Sequence, residues 1–477
     1  MKKNKLTTAV VAGLAGVAGF ASVSNAVHIN PEGLGQTLVY PYYTVNNGLN
    51  TTLSVVNTTE YTKAVKVRFL EGDNSIEVLD FNLYLSPYDV WVAGLVPTVS
   101  TTGSHAGEDS AKIVFGDTSC TPFLNSGQEF LPFAIEASQA GYPGTDNTNM
   151  ERATEGHFEM IEMGTLDPSF GYGADAVHGP GQDCAQLQAN WDGVGAWIVD
   201  PNEEVMAPMG GLFGSASVID VAEGTDVAYN AEALEDFWGD VIGGQQTDPG
   251  NTAPSLNDAA PVSTVFVNGV AVTTNWFEGY EAVSALFMKD ELYNEYSLDP
   301  NVAGKTEWVL TFPSKRFHVE SVVPVAPFTT SWDGEEACEP YAALVWDREE
   351  DDNFCLVNPN AQICQGGGIS PIADDDPTIP TLCWETNVVE FLNAGASTGT
   401  SSVLGSTNLA TMPAFQDGWA RLSFNQTMPA PLSGQSGYDG LPVTGFAVQK
   451  LTNGNAAPGV MAQYAGLFKH KGRVTSN

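Results

Sequence analysis

Clustered carboxylates are the residues of this sequence whose spacing points most directly to chemistry. Asp351 and Asp352 belong to one acidic run, and Asp374 and Asp375 belong to a second run further along the chain. Carboxylate oxygens grouped in a loop are the hard ligands that Ca²⁺ prefers. The spacing matches no EF-hand, and an acidic run is commonly just a solvated face. The sequence therefore leaves two interpretations: calcium held by these four aspartates, or a solvated acidic surface.

Paired carboxylates would permit a second chemistry, the hydrolysis of glycosidic bonds. This reaction needs two acids about 5 to 9.5 Å apart, one of them with a raised pKa. With 57 aspartates and glutamates in the chain, many pairs fall in that range by chance. Glu155, Glu159 and Glu162 lie beside apolar residues on a predicted strand. We interpret these three glutamates as the solvent-exposed face of that strand.

Motifs for nucleophilic and zinc catalysis are missing from the sequence. Residues 434–438 fail the Gly-x-Ser-x-Gly pattern at its last position, and no His-Glu-x-x-His occurs. His105, His157 and His178 are a set that a fold can bring together, although we expect solvated or core histidines. Phosphate-binding loops, dinucleotide fingerprints and basic patches are missing as well.

The six cysteines indicate an oxidising compartment, because all of them follow the N-terminal segment and their number is even. Spacing separates two of them from a later group of four. We favour the pairs Cys120–Cys184, Cys338–Cys383 and Cys355–Cys364, although sequence alone leaves other connectivities open.

The first residues have the three-part pattern of a secretory signal. Lys2, Lys3 and Lys5 precede an apolar stretch over 9–20, and small residues lead up to Ala26. The apolar stretch is shorter than the ~20 residues that span a bilayer. We therefore expect cleavage after Ala26 and a soluble mature chain with no membrane span, secreted or on the cell surface, with the periplasm as a further possibility.

The chain is strongly acidic, with 18 Lys and Arg against 57 Asp and Glu and a net charge of −39. Removal of the signal takes away three lysines and no acid, which makes the mature charge −42. Such a charge repels nucleic acid and anionic membranes. The hydrophobic fraction of 43% nevertheless predicts a folded chain with a large core.

The pattern of the remaining sequence predicts a mainly β-fold. In the opening segment Val65, Val67 and Phe69 alternate with Lys66 and Arg68, which indicates one buried face and one wet face. Short strands separated by polar turns are typical of antiparallel sandwiches. We expect opening strands over 38–115 and closing strands over 386–468 to share one core, within a single domain of residues 27–477.

Long loops and two short helices complete the expected architecture. Residues 120–385 are predicted to be an elaborated insertion between the opening and closing strands. Within it, Asn230 precedes a possible helix over 231–238, and an apolar stripe at helical spacing predicts another over 278–293. No internal repeat or low-complexity linker divides the chain.

Parts of the sequence resemble a known kind of module. Residues 53–59 followed by 64–69 resemble the opening hairpin of bacterial extracellular immunoglobulin-like β-sandwiches, and residues 418–422 and 444–448 resemble their closing strands. Residues 306–316 are similar to uncharacterised secreted or surface proteins of Gram-negative bacteria. The resemblance covers roughly a third of the chain. It implies a location and an architecture, and it carries over no catalytic residue.

These observations predict a secreted or surface-attached, non-catalytic protein for cell-envelope structure, adhesion or self-assembly. The expected partners are further copies of the chain or cell-surface components, and calcium is the one cofactor considered. The alternative is a secreted polysaccharide hydrolase that uses paired carboxylates. A periplasmic solute-binding protein is disfavoured, because alternating βα units are missing.

Overall fold

The computed structural model describes residues 25–142, 147–349, 380–393, 399–458 and 460–477. Strands account for 43% and helices for 13% of the structure, so the predicted mainly β class is confirmed. Among the described residues, no helix has the length and apolar character that crossing a bilayer requires.

The strands are short and numerous, as expected for a chain with frequent polar turns. In chain order the described strands are β1 His28–Ile29, β2 Thr37–Thr44, β3 Asn50–Asn57, β4 Thr62–Glu71, β5 Glu77–Leu85, β6 Val90–Val99, β7 Asp109–Val114, β8 Glu155–Leu166, β9 Leu212–Asp220, β10 Thr225–Asn230, β11 Glu232–Glu235, β12 Val262–Val267, β13 Val270–Asn275, β14 Met288–Lys289, β15 Glu291–Ser297, β16 Lys305–Thr311, β17 Glu339–Pro340, β18 Ala342–Asp347, β19 Thr381–Leu382, β20 Thr386–Leu392, β21 Leu409–Pro413, β22 Asp417–Ser423, β23 Thr427–Met428, β24 Tyr438–Asp439, β25 Leu441–Pro442, β26 Thr444–Ala457, β27 Val460–Lys469 and β28 Lys471–Arg473.

The helices are short and lie in the connections between strands. The described α-helices are α1 Phe133–Gln139, α2 Gly171–Asp175, α3 Cys184–Asn190, α4 Ala196–Val199, α5 Gly279–Phe287 and α6 Lys315–Val319. The described 3₁₀ turns are Asn46–Gly48, Gly103–His105, Met150–Thr154, Leu256–Asp258 and Pro300–Val302.

Four large sheets carry most of the strands. Their strand orders are β1-β11-β2-β8-β4-β5 for sheet 1, β10-β9-β3-β6-β7 for sheet 2, β18-β22-β15-β28 for sheet 3 and β21-β20-β16-β26-β27 for sheet 4. Neighbouring strands are antiparallel except β20 and β21, which are parallel. The four sheets have a propeller-like, four-bladed arrangement. A single sandwich of two sheets accounts for only half of them.

Two large hydrophobic cores lie between these sheets. The first core collects the inward side chains of sheets 1 and 2, among them Val55 and Val67, together with Phe446 of β26. The second core collects sheets 3 and 4, including Trp308 and Leu422. Of the four residues expected to share one core, Val55, Val67 and Phe446 lie in the first core and Leu422 lies in the second.

Sheet 4 connects the two cores because both of its faces are apolar. Val309 and Phe446 belong to the first core, whereas their strand neighbours Leu310 and Ala447 belong to the second. Successive side chains of a strand point to opposite faces. A strand buried on both faces therefore has a continuous apolar run instead of an alternation.

The two predicted helices have different outcomes. The prediction of a helix over 231–238 is wrong, because Glu232–Glu235 forms β11 and pairs with β2 at the side of sheet 1. Backbone pairing with an existing sheet overrides a weak helical pattern. The second prediction is confirmed for its first part. Helix α5 begins after a capping box of Glu278 and Glu281 and ends at Phe287.

Candidate functional site

Three glutamates of β8 were predicted to face solvent, and this prediction is wrong. Glu155, Glu159 and Glu162 are all buried, as is every other residue of β8. On the neighbouring strand β4, Lys66 and Arg68 are buried as well, so the alternation with Val65 and Val67 does not separate a dry face from a wet one. Sheet 1 thus has charged side chains on a face that other parts of the chain cover.

The segment between β11 and β12 covers part of this charged face. The Lys66 ammonium pairs with Asp80 of β5 and donates a hydrogen bond of 3.3 Å to the carbonyl of Asp248. The backbone N–H of Gly250 donates to the Asp80 carboxylate at 2.8 Å. The Asn82 side chain donates to the Thr247 carbonyl at 2.8 Å. The inserted segment is therefore attached to the sheet by polar contacts.

Arg68 organises the next part of the same face. It lies directly opposite Glu159 across the β4–β8 pairing, forms an ion pair with it, and also pairs with Glu77 at 2.6 Å. Burial opposes the charge of Arg68, but Glu159 and Glu77 raise the pKa of its guanidinium above the ordinary value. Burial raises the pKa of the Glu159 carboxyl, and Arg68 opposes that increase.

A cleft of about 200 Å³ opens above Arg68 and Glu159. We call it the charged cleft; its lining residues are Arg68, Leu70, Ser75, Ile76, Glu77, Ala134, Glu159, Thr252, Ser255, Pro313, Arg316, Phe317 and Glu320. Glu159 directs one carboxylate oxygen to Arg68, while its second oxygen, Oε2, is buried with no hydrogen-bond partner. An acceptor buried in this way normally has a partner, so the cleft is a candidate ligand site.

Arg316 of α6 stands at the wall of the charged cleft and is already engaged. Its guanidinium forms an ion pair with Glu320, and it donates a hydrogen bond of 3.1 Å to the carbonyl of Ser75. Phe317, the next residue, stacks on Tyr280 of α5 with ring centroids 5.4 Å apart. Helices α5 and α6 therefore hold this wall in place against sheet 1.

The other two glutamates of β8 belong to separate buried networks. Glu155 accepts hydrogen bonds from the Tyr42 hydroxyl at 2.9 Å and from the Ser406 hydroxyl at 2.8 Å. Glu162 pairs with Lys63 at 2.6 Å, and both side chains are fully buried. The fold does not bring the three glutamates into one catalytic cluster, because each is bound to different partners.

The histidines predicted as a candidate set are also dispersed. His105 contacts Glu108 at 2.9 Å and Glu136 at 3.0 Å, and His178 lies 3.5 Å from Asp89. His157 is buried with both ring nitrogens unpartnered, and burial lowers its pKa to about 3. Within the described ranges, the one group with metal-ligand spacing is Glu336, Cys338 and Cys383. Its two cysteines are joined in a disulfide, so they offer no thiolate.

Two disulfides lie within the described residues, Cys120–Cys184 and Cys338–Cys383. Both pairs are among those that the cysteine spacing favours. The remaining favoured pair, Cys355–Cys364, and the four aspartates considered for calcium, Asp351, Asp352, Asp374 and Asp375, lie outside the described residues.

A second candidate surface is the hairpin of β26 and β27. Residues 451–468 contain no charged residue, although the chain as a whole has a net charge of −39; we call this segment the uncharged ribbon. Met461 and Tyr464 are 61% and 57% exposed, and β27 is the last strand in the order of sheet 4. Ala465 and Leu467 pack against the first core. The ribbon is thus anchored at one end and apolar at its surface.

Comparison with protein-family models, with curated proteins and with solved structures finds no match to this chain. The charged cleft and the uncharged ribbon are therefore the features of this chain that bear on its function.

Proposed function

We propose that this chain is an exported, non-catalytic protein of the cell surface or its surroundings, and that it self-associates through the uncharged ribbon. One observation carries the proposal: an edge strand with exposed apolar side chains in a strongly acidic protein. Exposed apolar edge strands are templates for pairing with another chain, and soluble proteins commonly protect them with charges. Strand β27 has no charge between Val460 and Phe468.

Charge distribution favours a second copy of this chain as the partner. Two copies repel each other through their acidic surfaces, and the ribbon is a place where they can meet without bringing carboxylates together. Lys450, Lys469, Lys471 and Arg473 flank the ribbon in the sequence. Lys450, Lys469 and Arg473 already form ion pairs with acidic residues of the same chain, so they lower the local negative charge beside the ribbon. Association should strengthen as salt screens the remaining repulsion.

The location and the module type form part of the same proposal. The disulfides Cys120–Cys184 and Cys338–Cys383 are compatible with an oxidising compartment outside the cytoplasm. The antiparallel sheets around the first core support an immunoglobulin-like sandwich for that half of the chain.

A polysaccharide hydrolase is the second candidate, and the charged cleft is the observation that favours it. Glu77 and Glu159 are close together, because both pair with the one guanidinium of Arg68. A glycosidase needs one carboxyl group to donate a proton and the other to attack or activate water. Both carboxylates form ion pairs with Arg68. An ion pair favours the ionised form of a carboxyl group, so this arrangement suits ligand binding better than proton donation.

Light scattering across a salt series tests the proposed self-association. We expect the mature protein to shift to larger species as NaCl rises to about 0.5 M, where the Debye length falls to roughly 4 Å. Tyr464→Lys should abolish this shift by placing a charge on β27. Val322→Lys is the matched control, because Val322 is an exposed apolar residue far from the ribbon in sequence, and it should associate like the wild type.

A substrate panel separates the two candidates. We expect no turnover of polysaccharides, esters or peptides by the wild-type protein. A protein that stays monomeric at every salt concentration would contradict self-association through the ribbon, and adhesion to cell-surface material would then be the remaining non-catalytic role. Glycan cleavage that Glu159→Gln abolishes would establish the hydrolase instead.

A further inference from the structure

We propose that the charged cleft binds a small organic cation, whose ammonium group is held by the Glu159 carboxylate. This site is separate from the uncharged ribbon and does not depend on self-association. The proposal starts from Glu159, which is a lining residue of the cleft and whose Oε2 atom is buried with no hydrogen-bond partner. A buried acceptor without a partner is costly, and a donor from a ligand would remove that cost.

The charges around the cleft favour a cationic donor. The lining contains Arg68 and Arg316 against Glu77, Glu159 and Glu320. Arg68 is shared by Glu77 and Glu159, and Arg316 is paired with Glu320. Both cations of the cleft are therefore engaged, and the lining contains one more carboxylate than guanidinium. An ammonium group would balance the charge and supply the missing donor in a charge-assisted hydrogen bond.

A divalent metal ion suits this arrangement less well. Such ions take several oxygen ligands that converge on one point. Among the residues that the structure describes, the single acid, histidine and cysteine group with that convergence is at Glu336, and it contains no residue of the cleft lining. One free carboxylate oxygen beside a guanidinium fits an ammonium group, which can be bound through a single acceptor.

The walls and the size of the cleft restrict the rest of the ligand. Leu70, Ile76, Ala134 and Pro313 offer apolar contact for a short hydrocarbon portion, and Phe317 adds an aromatic ring. The volume of about 200 Å³ is below the ~300 to 1,000 Å³ of pockets for drug-sized molecules. The geometry therefore points to a small primary amine of a few carbon atoms.

Three probes of similar size and different charge test the proposal by titration calorimetry on the mature protein. The probes are ethanolamine, which is a cation at pH 7, neutral ethylene glycol, and the anion glycolate. We expect heat of binding with ethanolamine only. Equal binding of ethylene glycol would assign the site to neutral hydroxyl compounds, and binding of glycolate alone would assign it to anions. Either result, or no binding of any probe, would overturn the proposal.

Two variants locate the binding in the cleft. Glu159→Gln should weaken ethanolamine binding about tenfold or more, because it removes a charge-assisted acceptor, whereas Glu295→Gln at an exposed position of β15 should bind like the wild type. Thr252→Tyr, at an exposed position of the lining, should block the cleft without disturbing the sheet, which covers the case in which Glu159→Gln does not fold. Unchanged binding by Thr252→Tyr would place the amine elsewhere and refute the proposal.

Discussion

The charged face of sheet 1 and the uncharged ribbon of sheet 4 invert the usual distribution of residues between interior and surface. On the first, Lys66, Arg68 and Glu159 are buried and ion-paired on a sheet that other segments cover. On the second, Met461 and Tyr464 are exposed on a hairpin without charges. Burial of charge is costly unless each group is paired, and exposed apolar edges invite association.

Substitutions on these two surfaces should affect different properties of the protein. Each group of the charged face depends on its partner, so the loss of one side chain leaves another buried and uncompensated. In the ribbon, Met461 and Tyr464 are exposed, whereas Ala465 and Leu467 pack against the first core. Substitutions in the charged face should therefore change stability, and substitutions in the ribbon should change association.

The largest effect is expected from the buried pair of Lys63 and Glu162. Lys63→Met leaves the Glu162 carboxylate buried without its cation, and we expect the free energy of unfolding to fall by about 3 to 5 kcal/mol. Lys469→Met is the matched control, because Lys469 is mostly exposed where it pairs with Glu232, and it should cost at most about 1 kcal/mol. Urea unfolding measures both. Equal losses of unfolding free energy in the two variants would contradict the expectation that the buried pair contributes more to stability than the exposed pair.

A smaller effect is expected from His157, and it depends on pH. Burial lowers its pKa from 6.5 to about 3, so between these values the unfolded chain takes up a proton that the folded chain excludes. The contribution of His157 therefore lowers the free energy of unfolding as pH falls below about 6.5, by roughly 2 kcal/mol at pH 5. His157→Leu removes this contribution.

Urea unfolding of wild type and His157→Leu from pH 8 to pH 5 gives the comparison. The difference in free energy of unfolding between the two proteins should change with pH below about 6.5, in favour of the variant, and should be constant near pH 8. Parallel profiles over the whole range would show that the imidazole is accessible to protons in the folded chain.

The smallest effect on stability is expected in the ribbon. Tyr464→Lys should leave the free energy of unfolding within about 0.5 kcal/mol of the wild type, because the side chain is exposed. Leu467→Lys on the same strand should cost about 1 to 3 kcal/mol, because that side chain packs against the first core. Thermal or urea unfolding at low salt, where the protein is expected to be monomeric, checks both. A large loss for Tyr464→Lys would mean that the ribbon is part of the core.

Local patterns predict much of the fold and little of the candidate sites. Alternation of Val65, Val67 and Phe69 correctly places their side chains in a core, because period two is a property of a single strand. The same pattern does not reveal that Lys66 and Arg68 are buried. The segment that covers this face lies about 180 residues later in the chain, at Asp248. The residues next to Lys66 and Arg68 in the sequence contain no information about that segment.

Opposite charges on separate strands were the available signal for the charged face. Lys66 and Arg68 on β4, Asp80 on β5 and Glu159 on β8 become partners only when the register of three strands is known. The ribbon could have been recognised more directly, as an uncharged segment in an acidic chain. The exposure of the ribbon could not be recognised from the sequence, because Leu451 and Phe468 are residue types that commonly lie in a core. The edge position of β27 is known only from the structure.

The strand order of sheets 3 and 4 has a consequence for how the chain comes to fold. Strand β15 pairs with β28, and the central strand β16 pairs with β26. Residues near 291 and 305 therefore cannot form these pairs until the residues near 473 and 450 are present. A chain that emerges from a ribosome or a translocation pore begins with its N-terminus. The second core, which contains Trp308, therefore stays open until the residues near 473 have been synthesised. Contacts between residues so distant along the chain slow folding. A chaperone that binds unfolded chains would therefore be most useful before the residues near 473 have been made.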